Sequence, residues 1–318
     1  MTETGKRIAI IGAGMAGLAC AARLGRAGRP VELFDKGRGA GGRMSTRRLD
    51  TPLGQAGFDH GAQYFTARGA SFLSQVERWA ADGVVAPWPA AGSDAWVGTP
   101  GMNAPVRALA ADQAVSWGYP VEALSSDGGG WRLDGPHGRS DRFDIVVLAL
   151  PAEQAASLLA GHDPVLAATA AASRTEPCWT VMAAFDQRLP IAPDSLRDQG
   201  PLGWAARNSS KPGRGALEAW VLQASPDWSR RHLEDAADTV CGALFEALQQ
   251  SAGGALPSPI ALSAHRWRFA RSAVGADGCL WSPKTGLGCC GDWLTGPRVE
   301  GAWDSGVALA EQLLADTV

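Results

Sequence analysis

The stretch Arg7–Leu24, RIAIIGAGMAGLACAARL, decides the fold. Residues 7–12, largely apolar, read as a buried strand. Glycines follow at Gly12, Gly14 and Gly17, and the remainder reads as a helix over 15–28. PVELFD (30–35) supplies a second strand, so the chain opens as a βαβ unit. Gly12, Gly14 and Gly17 form GxGxxG, which allows a tight turn and lets backbone approach a pyrophosphate at a helix N-terminus. Asp35 closes the second strand roughly 20 residues on, where a carboxylate can accept hydrogen bonds from ribose hydroxyls. A glycine-rich turn without a ligand is the alternative, and the strand before, helix after and acid beyond argue against it.

A second phosphate-type signature lies near the other end: GLGCCGDWLTGPRVEGAWDSGVALAEQLL, Gly286–Leu314. Gly291 and Asp292 close a strand there, and Asp292 can accept from a ribityl hydroxyl. EGAWDSG opens a closing helix over 301–316, whose N–H groups around Gly301 and Ala302 suit the pyrimidine edge of a flavin. A nicotinamide dinucleotide normally needs only the first signature, whereas FAD commonly needs both. GAGGRM adds a double glycine and Arg43, with Gly42 placed for a second close approach and the guanidinium offsetting phosphate charge. The same cofactor reading takes in Ala16, Lys36, Met44, Val121 and Val299.

Composition sets the outer limits. The chain has 318 residues, 46% hydrophobic and 19% charged, enough for a sizeable core. A net charge of -3 gives no electrostatic case for nucleic acid or an anionic membrane. No segment reaches the ~18 apolar residues of a membrane span. The polar MTETGKR lacks the layout of a secretory leader, so the expectation is a cytoplasmic protein, monomeric or weakly dimeric. Six scattered cysteines without a CxxC pair read as reduced, mostly buried thiols. No His/Cys/Asp cluster has metal-ligand spacing, so no metal is expected.

Farther along, GRGAGGRMSTRR reads as a loop, FDHGAQYFTA as a strand or extended segment, and SFLSQVERWAADG as a helix. FDIVVLALP (143–151) suits a central parallel strand. CWTVMAAFD and LSAHRWRFA read as strands, LGWAARN and LEAWVLQAS as a hairpin joined by SSKPGRGA, and 229–249 as helical. The expected division is 1–83, 102–155 and 278–318 for cofactor binding, with 84–101 and 156–277 for a substrate domain.

Together IAIIGAGMAGLACA, LFDKGRGAGGRMSTRR, FDHGAQYFTAR, WVGTPGMNAPVRAL, DIVVLALP, ARNSSKPGR, AHRWRFAR and CGDWLTGPRVEGAWDSG resemble the renalases in their bacterial form. The wider resemblance, to FAD-dependent amine oxidases, rests on GxGxxG, GGR and the terminal GD…EGAxxSG. The resemblance implies an α/β fold like p-hydroxybenzoate hydroxylase. A Rossmann-like FAD-binding domain is interleaved there with a smaller α+β domain, whose antiparallel sheet roofs the isoalloxazine. It implies non-covalent FAD, and a substrate class of isomeric dihydronicotinamide dinucleotides returned to NAD(P)+, with dioxygen reduced to hydrogen peroxide. Bacterial members resemble oxidases of the isomer reduced at the ring carbon between the nitrogen and the carboxamide-bearing carbon.

Such chemistry asks little of side chains, because the dihydropyridine gains aromaticity as it gives up hydride. No catalytic acid or base is therefore assigned. In LSAHRWRFA, strand parity puts His265, Trp267 and Phe269 on one face, either a wall of an aromatic slot or plain core. Gly61, Ala62 and Gln63 have the size and polarity expected beside a flavin, with Tyr64 adjacent. Trp204, Arg207 and Asn208 are candidate substrate contacts, whereas Lys211 and Arg214 read better as a solvated loop. Two other readings stay open: an amine oxidase, and a non-catalytic protein holding FAD for binding or sensing.

Overall fold

The computed structural model describes residues 6–316 and divides the chain into two compact units. The first comprises the chain up to Gly42, Val106–Thr175 and the chain from Ser272 onward. Its six-stranded sheet runs in the order Leu280–Ser282, Leu287–Cys289, Ile145–Leu148, Ile8–Ile11, Val31–Asp35, Ala114–Trp117. All pairings are parallel except the edge pair of Leu280–Ser282 with Leu287–Cys289. Ile8–Ile11 and Ile145–Leu148, both wholly buried, lie side by side near its middle, as their unbroken apolar runs require. The helix Met15–Arg26 returns the chain between the first two strands. The closing helix Val299–Ala315 packs on it so tightly that a methyl at Gly306 would come 2.1 Å from the Ala16 carbonyl.

The helices Ala152–Leu159 and Pro164–Ala172 also belong here. Their Leu158, Leu159, Leu166 and Ala170 share one core with Ile11, Val146 and Leu287. Residues 156–175 thus cluster with the parallel sheet, where the sequence division put them in the substrate domain.

The second unit comprises Arg43–Pro105 and Glu176–Arg271. Its five-stranded sheet has the order Ser195–Gln199, Leu202–Arg207, Glu218–Ala224, Thr175–Phe185, Ala261–Ser272. Strand parity explains its two cores. Trp179, Val181, Ala183 and Phe185 face Val240, Leu244 and Leu248 of the helix Ala237–Ser251. Met182 and Ala184 face the other way, onto Ala56 and Phe58. Those two come from a hairpin, Thr46–Thr51 with Gly54–Asp59. Part of the expected Gly/Arg loop is therefore a strand, and residues 43–83 cluster with this sheet rather than with the first unit. The expected helix over 229–249 is two helices, Pro226–Arg231 and Ala237–Ser251. No helix among the described residues is long and apolar enough to cross a membrane.

Candidate functional site

In the first unit the glycines of GxGxxG divide by what surrounds them. Gly12 has φ +103°, and a methyl there would sit 2.4 Å from the Ala149 carbonyl. A methyl on Gly17 would sit 2.0 Å from the Gly12 carbonyl. Both are required by the protein's own packing. Gly14, by contrast, has nothing within 4 Å of a built methyl, so its side of the turn is open for a ligand. A methyl built on Gly42, at φ +52°, would sit 3.8 Å from the Gly14 Cα, which places the second glycine cluster beside the same turn. The helix Met15–Arg26 has no side-chain cap at Gly14, and its N-terminal N–H groups are left for an anion.

Asp35 is locked in place. Ala13 N–H donates to Oδ2 at 2.7 Å and Gly37 N–H to Oδ1 at 2.6 Å. Each carboxylate oxygen keeps acceptor capacity for a ribose hydroxyl. Ala16 is buried in the first helical turn, Lys36 is exposed beside Asp35, and Val121 is half-buried beside the core that includes Phe34.

At the C-terminal signature, Gly291 N–H donates to Ser305 Oγ at 2.9 Å, and Asp292 is buried in a 3-10 turn, Asp292–Leu294. A methyl at Gly301 would meet the Gly296 carbonyl at 2.4 Å, fixing the tight entry into the helix. That helix begins at Val299, again with no side-chain cap, and carries Gly301 and Ala302 in its first turn. The residues of the first unit thus fit a dinucleotide: two uncapped helix starts, an open glycine face and a fixed ribose acceptor.

In the second unit the segment 59–64 is clamped. Ala62 N–H donates to the Arg43 carbonyl at 2.8 Å, and a methyl at Gly61 would overlap that carbonyl at 2.0 Å. Gln223 Nε2 donates to the Gly61 carbonyl at 2.7 Å. Gln63 Nε2 donates to the carbonyls of Asp59 and Gly61. Met44 is buried and Arg43 half-buried at the start of this unit.

Asp59 is the polar hub. Thr46 Oγ1 and Met102 N–H donate to Oδ1 at 2.8 and 2.9 Å, while Lys211 Nζ (3.2 Å) and Arg214 Nη2 donate to Oδ2. Lys211 Nζ also donates to Gln63 Oε1 at 3.2 Å and lies 5.3 Å from the Trp88 ring centre. Lys211 and Arg214 were expected in solvent; they are buried because Asp59 supplies the counter-charge. Burial by itself would raise the Asp59 carboxyl, but the charges of Lys211 and Arg214 outweigh it and hold it at about 2. Burial lowers Lys211 to about 8, against the pull of Asp59 and with a push from Arg214.

An aromatic cluster gathers His60, His265 and Trp267, as parity on the Ala261–Ser272 strand requires. Trp267 Nε1 donates to the His60 carbonyl at 2.8 Å. Burial, the neighbouring His265 and the Arg47 charge push His60 down to about 4, so its ring is neutral at physiological pH. Burial and Arg47 lower His265 as well.

Tyr64 and Trp204 form a second pair, with ring centres 5.5 Å apart. Arg207 and Asn208 do not join it. The Arg207 guanidinium is fully buried, with Nε donating to Glu218 Oε1, Nη1 to Asp194, and Nη2 to the carbonyls of Leu189 and Ile191. Asn208 is equally committed, taking Asp59 N–H on Oδ1 and donating Nδ2 to the Gly57 carbonyl at 2.9 Å. Both pin the sheet and its hairpin, which corrects their placement as ligand contacts. The arginine on the aromatic pair is Arg197, whose Cζ lies 4.4 Å from the Trp204 ring centre and 5.8 Å from that of Tyr64. Its strand, SLRDQ, lacks apolar alternation and reads as loop; the available signal was the QGP turn before LGWAARN.

Residues 10–78 match the NAD(P)-binding Rossmann-like domain, and residues 89–314 match the flavin containing amine oxidoreductase family. Among curated proteins, a zeta-carotene-forming phytoene desaturase from Myxococcus xanthus is 48% identical over 46 residues, 14% of this chain and 9% of that protein. Among solved structures, a candidate protoporphyrinogen oxidase from Exiguobacterium sp. 255-15 superposes with a TM-score of 0.81 at 14% identity, covering 98% of this chain and 99% of that one. Cyclohexylamine oxidase from Brevibacterium oxydans IH-35A gives 0.68 at 16%, covering 97% and 99%. A reduced UDP-galactopyranose mutase gives 0.69 at 12%, covering 98% and 94%. A fold shared by oxidases and a mutase does not choose the substrate. The family match over most of the sequence does set the class: the chain belongs to the flavin-containing amine oxidoreductases, with FAD as its cofactor.

Proposed function

We propose that this protein is a renalase-like oxidase. It converts isomeric dihydronicotinamide dinucleotides, reduced between the ring nitrogen and the carboxamide-bearing carbon, to NAD(P)+, with dioxygen becoming hydrogen peroxide. An interleaved layout like that of p-hydroxybenzoate hydroxylase and non-covalent FAD are part of this reading. FAD supplies the hydride acceptor and the route of electrons to dioxygen.

The observation that carries the reading is the Arg197 guanidinium seated on the Tyr64–Trp204 pair. A protonated amine would have to approach aromatic faces already serving a fixed cation, and like charges repel. A neutral dihydropyridine carries no such penalty. The nearby titratable groups suit a reaction without a general base. His60 is buried and neutral, and Lys211 is held by Asp59 and Gln63. On this reading Gly61, Ala62 and Gln63 offer a rigid backbone edge to the cofactor, and His265 and Trp267 border the substrate.

Anaerobic stopped-flow absorbance after mixing with borohydride-reduced NAD+, which contains all dihydropyridine isomers, tests this. Rapid bleaching that consumes one minor isomer, with ordinary NADH inert, is expected. Bleaching by simple amines with none by any isomer would replace the reading with an amine oxidase.

A further inference from the structure

Resting on that reading, we infer that Arg197 is the substrate's anion anchor: it binds a phosphate of the dinucleotide while the dihydropyridine lies against Tyr64 and Trp204. The strand register sets this up, since Arg197 pairs directly with Trp204 across the Ser195–Gln199 and Leu202–Arg207 strands. Side chains opposite each other on neighbouring strands share a face, so the guanidinium falls on the indole.

The guanidinium is held but not saturated. Nη2 donates to the Ala91 carbonyl at 2.9 Å and to the Tyr64 hydroxyl at 3.3 Å. Nε and Nη1 have no partner among the described residues, and the residue is exposed. An arginine fixed on one side and open on the other presents a fork of N–H donors suited to phosphate. Arg207 is the contrast: every one of its nitrogens is engaged, and it is fully buried.

Two further observations point to a ligand here. Trp204 is 9% exposed, and its indole N–H is buried without a partner. An unpartnered buried donor is costly, and a carboxamide oxygen is the acceptor such a ligand would bring. Asp198, next to Arg197, has φ +51°, and is the one non-glycine residue with positive φ among those described. Strain of this kind persists where the surroundings hold it, often beside ligand sites.

The test is calorimetric binding to the FAD-loaded protein with two probes. One is 1,4,5,6-tetrahydro-NAD, whose ring is neutral and gives up no hydride. The other is the corresponding tetrahydronicotinamide riboside, which lacks phosphate. Wild type should bind the first at least tenfold more tightly. Arg197→Gln should weaken tetrahydro-NAD by about 10- to 100-fold, leave the riboside unchanged, and be partly rescued in Arg197→Lys. Equal loss for both probes would make Arg197 a support for the aromatic pair and overturn the inference, as would no loss for either or no binding of tetrahydro-NAD to wild type. Flavin bleaching by the isomer mixture is read separately. Wild type that bleaches while tetrahydro-NAD affinity ignores Arg197 sinks the anchor alone. Arg197-dependent binding without bleaching sinks the oxidase reading and keeps the anchor.

Discussion

Asp59, Lys211 and Arg214 show how a single carboxylate reorganises its surroundings. Two buried cations share one buried anion, so Asp59→Asn should destabilise the fold by about 3–5 kcal/mol in urea titrations. The Asp59 carboxyl sits at about 2 against an ordinary 3.8, so its contribution is full above pH 3.8 and is lost as pH falls toward 2. Charged Lys211 is instead a cost at neutral pH, and its slope runs in the same direction at higher pH. Between about pH 8 and 10.5 the unfolded chain holds the lysine proton while the folded chain has released it, so stability rises through that window. Buried thiols such as Cys20 and Cys289, raised to about 12, work against this rise above pH 9. The effect is therefore read as wild type minus Lys211→Met, and a flat difference from pH 8 to 10.5 would contradict it. None of this was legible in SSKPGRGA, which reads as polar loop because its partner, Asp59, is remote in sequence.

Among the elements, the strand-turn-helix at Ile8–Arg26 was fully legible, because a local pattern specifies local geometry. Its glycines separate packing from binding. Gly17→Ala should prevent stable folding or expel the helix, whereas Gly14→Ala should fold and lose only flavin, since its methyl meets no protein atom. Circular dichroism and flavin absorbance of the purified variants distinguish the two; a flavin-replete Gly17→Ala would refute the packing argument. The edge strand Ser195–Gln199 was not legible. It lies at the margin of its sheet and lacks the apolar alternation that marks half-buried strands. Missing it led to Arg207 in place of Arg197. Periodicity reports which face a residue takes only once the strand is recognised, as it was for His265 and Trp267.

For the whole molecule, the two signatures near its ends come together in the first unit because the closing helix packs on the helix of the first motif. Cofactor binding should then report on global stability. The thermal midpoint should climb with free FAD, by about 2.7 kcal/mol of stabilisation at a hundredfold excess over Kd. A midpoint indifferent to FAD would mean the native state does not hold it. The unit boundaries were less legible than the elements, because compactness is decided by contacts such as Phe58 with Met182, far apart in sequence. Finally, every one of the six thiols is unpaired and has its pKa raised, all but half-buried Cys178 being buried. Thiolates are the species that alkylating dyes attack. The native chain is thus close to silent toward maleimides, and one cysteine placed at Val274, 79% exposed, gives a single labelling site without removing any of the natural six.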